Sequence, residues 1–204
     1  MAEESARRLR HARPQGPRSN WVPLGVVAAV VAVLTGGWAL VNAGLPESEQ
    51  LTEGQSMTLG SGEGYEASIT FDDGWELKTG SSSQDQQLLL AKGPVNLQVS
   101  TVEPSERTTA PELWEGMRDT VRVGDASATL SDPKPATSDS GAEGLTGDLN
   151  MQQHTGSATV FPSPNGGFAV EAQAIGADAS QTDLADAEQL IQSIRFDRDS
   201  GDTS

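Results

Sequence analysis

His154 is the one histidine in the acidic part of the chain, and an imidazole suits acid–base chemistry near neutral pH. It stands near the end of a candidate strand, and no serine beside it lies in the strand–turn–helix setting of a nucleophile elbow. The chain has no cysteine, so neither thiol catalysis nor a Cys-ligated zinc site can form. We therefore interpret His154 as an exposed or singly hydrogen-bonded residue and predict no catalytic residue.

Three short motifs resemble ligand-binding loops by their letters alone. Residues 60–64 (GSGEG) resemble a phosphate-binding loop, but an alternating strand follows them where such a loop requires a helix. Residues 197–202 (DRDSGD) resemble a calcium loop without the correctly placed glycine or the bidentate glutamate. Asp72 and Asp73 offer carboxylates to a hard cation, although Asp-Asp-Gly is also an ordinary turn sequence. We predict no metal and no cofactor.

Aromatic side chains offer a different chemistry, the binding of an apolar group. Trp75 follows the Asp-Asp-Gly turn, and Trp114 lies on the apolar stripe of a candidate helix, where a place in the core is the simpler reading. If the helices cover only part of the sheet, Trp75, Trp114 and Phe168 can form the floor of an apolar groove. The predicted binding site for a lipid or peptide consists of these three rings.

Charge is divided unevenly along the chain. The net charge is −16, but residues 1–22 carry five arginines against two glutamates, a net of +3. The remaining residues carry 27 acids against eight bases, a net of −19. Because affinity for nucleic acid depends on lysine and arginine displacing counterions, nucleic-acid binding is excluded for this acidic part.

An uncharged apolar run occupies residues 24–41. At about 1.5 Å per residue a helix of this length reaches about 27 Å, close to the hydrocarbon thickness of a bilayer. We predict a transmembrane helix at residues 23–45, with the basic residues 1–22 in the cytoplasm by the positive-inside rule. A cleaved signal peptide is the alternative, because Val41-Asn42-Ala43 resembles a cleavage site. Both readings place the acidic part outside the cell membrane.

The remaining sequence predicts a linker at 46–56, one α+β domain at 57–197 and a disordered tail at 198–204. Alternation of apolar and polar residues predicts strands, and apolar residues at helical spacing predict two helices. The first helix has Thr109 as N-cap, Glu112 as its capping-box partner and an end near Gly124; the second spans 182–194. Hairpin turns dominate, so we predict a mainly antiparallel sheet with two packed helices. The strands are expected at 65–71, 75–77, 86–91, 95–102, 126–130, 145–153, 156–161 and 167–175, with a polar loop at 131–144.

Residues 69–77 (ITFDDGWEL) and 187–196 (AEQLIQSIRF) carry a family resemblance. They resemble membrane-anchored actinobacterial proteins, which are similar in turn to the PsbP-like α/β/α sandwich superfamily. Scarce lysine beside abundant alanine, glycine, aspartate and arginine is also typical of high-GC actinobacteria. This chain departs from the usual Pro-Asp or Pro-Glu before Gly-Trp, having Asp72-Asp73 there. The resemblance implies a PsbP-like sandwich with a non-catalytic binding or assembly role.

These observations predict a membrane-tethered, extracytoplasmic binding or assembly module of the bacterial cell envelope. Its expected partners are the membrane and an envelope lipid, a peptide or a membrane protein. A structural subunit of an envelope or secretion complex is one alternative. An extracytoplasmic hydrolase is another, and it requires two carboxylates in one cleft with their pKa values displaced in opposite directions.

Overall fold

The computed structural model describes residues 48–83, 87–152 and 154–199, which contain twelve strands, two α-helices and one short 3₁₀ helix (Thr79–Ser81). The helices are α1 (Ala110–Gly124) and α2 (Gln181–Gln192). The strands are β1 (Glu49–Gln50), β2 (Ser56–Gly62), β3 (Tyr65–Thr70), β4 (Glu76–Leu77), β5 (Gln87–Lys92), β6 (Val95–Val102), β7 (Thr129–Leu130), β8 (Lys134–Thr137), β9 (Glu143–Asn150), β10 (Thr155–Pro162), β11 (Ala169–Gly176) and β12 (Arg195–Arg198).

A nine-stranded antiparallel sheet, here called the central sheet, organises the fold. Its order is β1-β4-β5-β6-β11-β10-β9-β7, and β8 also pairs with β9. Strand β6 shows how the sequence divides the two faces: Val95, Leu97 and Val99 are buried on one face, while Gln98 and Ser100 point to the other. The sheet therefore has an apolar face and a second face of mixed character.

The apolar face of the central sheet packs against a second layer made of a small sheet and α2. The small sheet has the order β12-β3-β2 and is antiparallel. Its Ile69 and Phe71 share one core cluster with Leu97 of the central sheet and with Leu190 and Ile194, which lie at and after the end of α2. This cluster is the larger core of the domain, and the other face of the central sheet is left to α1.

Helix α1 begins and ends where the sequence predicts. Thr109 is its N-cap, and the Thr109–Glu112 capping box is formed, as predicted. The predicted apolar stripe is buried, and its residues are Leu113, Trp114, Met117 and Val121. With Leu149 and Val160 of the central sheet the stripe forms a second core cluster. Because this helix packs mainly on β7, β9 and β10, it covers only one part of its face of the sheet.

The predicted fold class is wrong. We expected an α+β protein in which a transmembrane helix precedes a PsbP-like sandwich, but the described residues are mostly antiparallel strand in two sheets, with two helices. No helix within the described ranges is long and apolar enough to cross a bilayer, and the predicted span 23–45 lies outside those ranges. Residues 57–62 and 195–197, for which no strand is predicted, and three segments expected to be irregular supply the additional strands, which raises the strand content above the prediction.

Those three segments contain strands because their backbones pair with neighbours despite polar sequences. In the predicted linker 46–56, β1 pairs with β4 and Leu51 is buried. The predicted loop 131–144 contains β8, which pairs with β9. The predicted tail 198–204 begins inside β12, and its residues 200–204 are not among those described. Backbone hydrogen bonds thus order these segments without an apolar alternation that would reveal them.

Candidate functional site

Beside α1, the uncovered part of the central sheet forms a cavity that we call the sheet–helix groove. Its floor consists of Gln87, Gln98, Ser100, Glu171 and Gln173 from the adjacent strands β5, β6 and β11. Its volume is about 500 Å³, within the range of ligand sites in proteins. The groove exists because α1 leaves this polar part of the sheet open.

Strand register places the floor residues in two rows. Gln87 pairs with Ser100, and Ser100 pairs with Glu171, so these three cross the sheet side by side. Gln98 and Gln173 form the next row. Directly opposed side chains in antiparallel strands have Cβ atoms about 4.5–5.5 Å apart. Carboxamide and hydroxyl groups, which both donate and accept hydrogen bonds, therefore lie on the β6 side of Glu171.

Helix α1 forms the wall of the groove with a column of residues spaced by four. Glu112, Gly116 and Thr120 all line the groove, because residues four apart lie on one helix face. Apart from the chain neighbours and the backbone of α1 itself, a Cβ atom built on Gly116 would meet no atom within 4 Å. The hydroxyl of Thr120 donates to the Gly116 carbonyl at 3.0 Å. The glycine therefore leaves open space at the middle of the wall.

Three carboxylates line the groove, and its lining contains no lysine, arginine or histidine. Burial raises the pKa of the half-buried Glu171 above its ordinary value. The backbone N–H of Thr109 and then its hydroxyl donate to Glu112, and these bonds lower the pKa of Glu112. Glu103 is the third carboxylate. The site is therefore acidic, and Glu171 is the carboxylate that the fold desolvates most.

The structure does not bring the predicted aromatic groove together. Trp75, Trp114 and Phe168 are 0%, 0% and 1% exposed. Trp75 and Phe168 belong to the larger core cluster, whereas Trp114 belongs to the cluster under α1. Phe168 makes an edge-to-face contact with Phe196, with ring centroids 5.5 Å apart. All three rings fill the core in this structure and line no common cavity among the described residues.

The remaining candidate residues have local roles. His154 is half-buried beside a separate cavity that Asp125 and Met151 also line. The 72–74 motif forms a turn in which Gly74 has a φ of 87°. Residues 60–64 form the end of β2 and the tight turn into β3 rather than a phosphate loop. Within the described ranges, no three His, Cys, Asp or Glu residues are placed to hold a metal ion.

Sequence reasoning missed the sheet–helix groove although its floor is visible in the sequence. In β6 and β11, Gln98, Ser100, Glu171 and Gln173 alternate with buried apolar residues, which by itself indicates an ordinary solvent face. The missing information was the position of α1, which converts an open face into a groove. Gly116, a glycine inside a helix, is the one local sign that space is needed there.

Comparisons with known proteins identify no family. No family model matches the chain, and no curated protein matches it. Among solved structures, a 1.50 Å crystal structure from Bacteroides thetaiotaomicron VPI-5482 is 12% identical with a TM-score of 0.37. The alignment covers 75% of this chain and 52% of that one, so this chain spans about half the length of that protein. A TM-score this low supports no argument about fold or function.

Proposed function

We propose that this chain is a membrane-tethered, extracytoplasmic binding or assembly module of the cell envelope, and that it holds its ligand in the sheet–helix groove without catalysing a reaction. The groove is the observation that carries the proposal, because a fold does not indicate function while a shaped site does. The tether and the location rest on the uncharged run at 24–41 and the arginines before it. The resemblance to PsbP-like envelope proteins stays a prediction.

The groove suits binding better than assembly through a flat surface. Its floor presents amide, hydroxyl and carboxylate groups on three neighbouring strands, which are rigid supports for a recognition site. Its wall has an unfilled position at Gly116. A ligand lying along α1 would contact both surfaces at once, and this concave arrangement buries more of a small ligand than a flat patch does.

The test uses two matched variants of α1, Gly116→Leu and Gly124→Leu. A Cβ atom at either position meets nothing within 4 Å, but only Gly116 lines the groove. The tagged full chain is purified from solubilised membranes of an actinobacterial host, and associated molecules are quantified by mass spectrometry. We expect Gly116→Leu to lose a component that wild type and Gly124→Leu retain. Equal recovery from all three proteins would instead support a structural subunit that assembles through another surface.

The same preparation tests the tether. We expect the protein in the membrane fraction with an intact mass that includes residues 1–43. A mature protein that begins at Gly44 would show that the segment is cleaved and would refute the anchor.

A carboxylate-dependent hydrolase is the second candidate, because Glu171 and Glu112 line one groove with pKa values displaced in opposite directions. The capping bonds from Thr109 already account for the lowered pKa of Glu112, which favours the binding function. The two candidates differ in what a Glu171→Gln protein captures. A hydrolase would accumulate an uncleaved molecule of higher mass than wild type holds, whereas a binding module would hold the same molecule or lose it.

A further inference from the structure

Glu171 is the residue of the groove whose charge lacks a counterpart. It lies on β11, between Ser100 of β6 and Val160 of β10. Val160 is buried under α1, so Glu171 stands at the border between the covered and the open parts of the sheet. Among the described residues, no hydrogen bond or ion pair reaches its carboxylate. A half-buried carboxylate without a partner leaves a favourable interaction unused.

Some other acidic side chains of the domain form ion pairs with basic side chains. Asp186, for example, accepts an ion pair from Lys92 at 3.0 Å, and Glu115 accepts one from Arg118 at 2.8 Å. No such base lines the groove, where Glu171 is joined by Glu103 and Glu112. An anionic ligand would meet three carboxylates, and a neutral ligand would desolvate Glu171 further without compensation. A cationic group is the ligand chemistry that complements this lining.

The floor also indicates what surrounds that cationic group. Gln98 and Gln173 are paired across β6 and β11, one row away from Glu171. Their carboxamides donate and accept, as the N–H and C=O groups of a peptide do. A cavity of about 500 Å³ accommodates a short segment of extended chain rather than a single ion.

We propose that the groove binds a peptide segment through one lysine or arginine side chain, whose ammonium or guanidinium group pairs with Glu171 while Gln98 and Gln173 hydrogen-bond the peptide backbone. This inference rests on the proposed function, because it takes the sheet–helix groove as the binding site. The inference adds to the proposed function the chemical class of the ligand and the residue, Glu171, that pairs with the ligand's positive charge.

The test is a titration of the ¹⁵N-labelled full chain, in a neutral detergent, with short capped peptides. The probes are acetyl-Gly-Lys-Gly-Gly-amide, the same peptide with glutamine in place of lysine, and free spermidine. We expect the lysine peptide to shift the side-chain amide signals of Gln98 and Gln173. Because a charge-assisted hydrogen bond is worth roughly one power of ten in affinity, we expect the glutamine peptide to bind at least about tenfold more weakly.

Two isosteric variants locate the charge recognition. Glu171→Gln removes the proposed partner, and Glu143→Gln removes an equal charge from the exposed start of β9, outside the groove. We expect Glu171→Gln to weaken the lysine peptide at least about tenfold and Glu143→Gln to leave its affinity unchanged. An unchanged amide spectrum of each free variant, away from the substitution, establishes that the fold is intact.

Several results would overturn the inference. Equal binding of the lysine and glutamine peptides would refute charge recognition, and equal binding of spermidine at the same signals would refute a peptide ligand. Equal losses in both Glu→Gln variants would show general acidity rather than a role for Glu171. If no probe shifts the groove signals while Gly116→Leu still loses its captured component, the inference fails and the proposed function stands.

Discussion

Replacing Gly116 by alanine should stabilise the protein, because the glycine occupies a helix interior where nothing restricts a side chain. Glycine is about 1 kcal/mol less favourable than alanine at such a position. Apart from the chain neighbours and the backbone of α1 itself, no heavy atom lies within 4 Å of the added Cβ, so no packing term opposes this gain. For a domain of this size about 1 kcal/mol corresponds to an increase in Tm of about 2–4 °C. The same reasoning predicts that the groove stays open in this variant, since one methyl group fills little of it.

The assay is urea unfolding followed by near-ultraviolet circular dichroism, which reports on the packing of buried Trp75 and Trp114, with calorimetry for Tm. Gly147→Ala is the matched control, because its Cβ would come within 2.8 Å of the Ser131 hydroxyl oxygen and 2.9 Å of the Trp114 ring. We expect that variant to lose about 1–3 kcal/mol through overpacking. A Gly116→Ala protein that is less stable than wild type would refute an open wall in α1, and with it the shape of the groove.

Three other changes test the same structure. Wild-type stability should fall as pH rises from the ordinary carboxyl pKa of 4.5 through the raised folded-state pKa of Glu171, because in this range the folded protein binds more protons than the unfolded one. Urea unfolding of wild type and Glu171→Gln across pH should show this fall as a change in the difference between their stabilities. A stability difference that does not vary with pH would contradict the prediction. Phe168→Ala should cost about 3–5 kcal/mol because the ring is buried, and a loss below about 1 kcal/mol in calorimetry would argue against its place in the core. Lys92→Met should cost about 1 kcal/mol or less. Lys92 forms an ion pair with Asp186 at 3.0 Å and lies 5.9 Å from the Trp75 ring centroid, and solvent weakens these interactions because the Lys92 and Asp186 side chains are partly exposed. Salt-independent unfolding of wild type would contradict an electrostatic role.

Local elements could be predicted from the sequence wherever one segment contains its own signal. The N-cap Thr109, the capping-box Glu112 and the apolar stripe define α1 without reference to the rest of the chain. The β5–β6 hairpin is likewise confirmed, because Gly93 and Pro94 form a turn between two strand-forming runs, the second of which alternates. These signals depend on neighbours in sequence, so tertiary context did not change them.

The elements that failed are ordered by pairing with another strand, near or far in sequence, rather than by an apolar pattern of their own. Strand β2 is polar and contains an irregularity in its pairing between Thr58 and Gly60, so its alternation is broken. Strand β12 is exposed, and only its pairing with β3, more than a hundred residues earlier, makes it a strand. The fold class was wrong because such segments add strands that local patterns do not show.

The candidate site was missed for the same physical reason. Whether Glu171 is an ordinary surface acid or the centre of a groove depends on how much of the sheet α1 covers. The aromatic groove, in contrast, was predicted from a turn beside Trp75 and from partial cover of the sheet by the helices, and Trp75 and Trp114 are buried in two separate clusters. Burial of a large ring is decided by the whole core, which a single sequence does not display.

The edge strands of the central sheet affect how copies of the protein associate when they are crowded at a surface. At its outer positions stand β1 and β7, with only two residues each, and β8, which contains a lysine and a proline. Strand addition requires a continuous row of free backbone N–H and C=O groups at the edge of a sheet. Short strands, lysine and proline all prevent an added strand from pairing with such a row. Neighbouring copies packed side by side would therefore not merge their central sheets into a fibre. We expect the protein to stay dispersed at high local density, with its polar groove still open to a ligand.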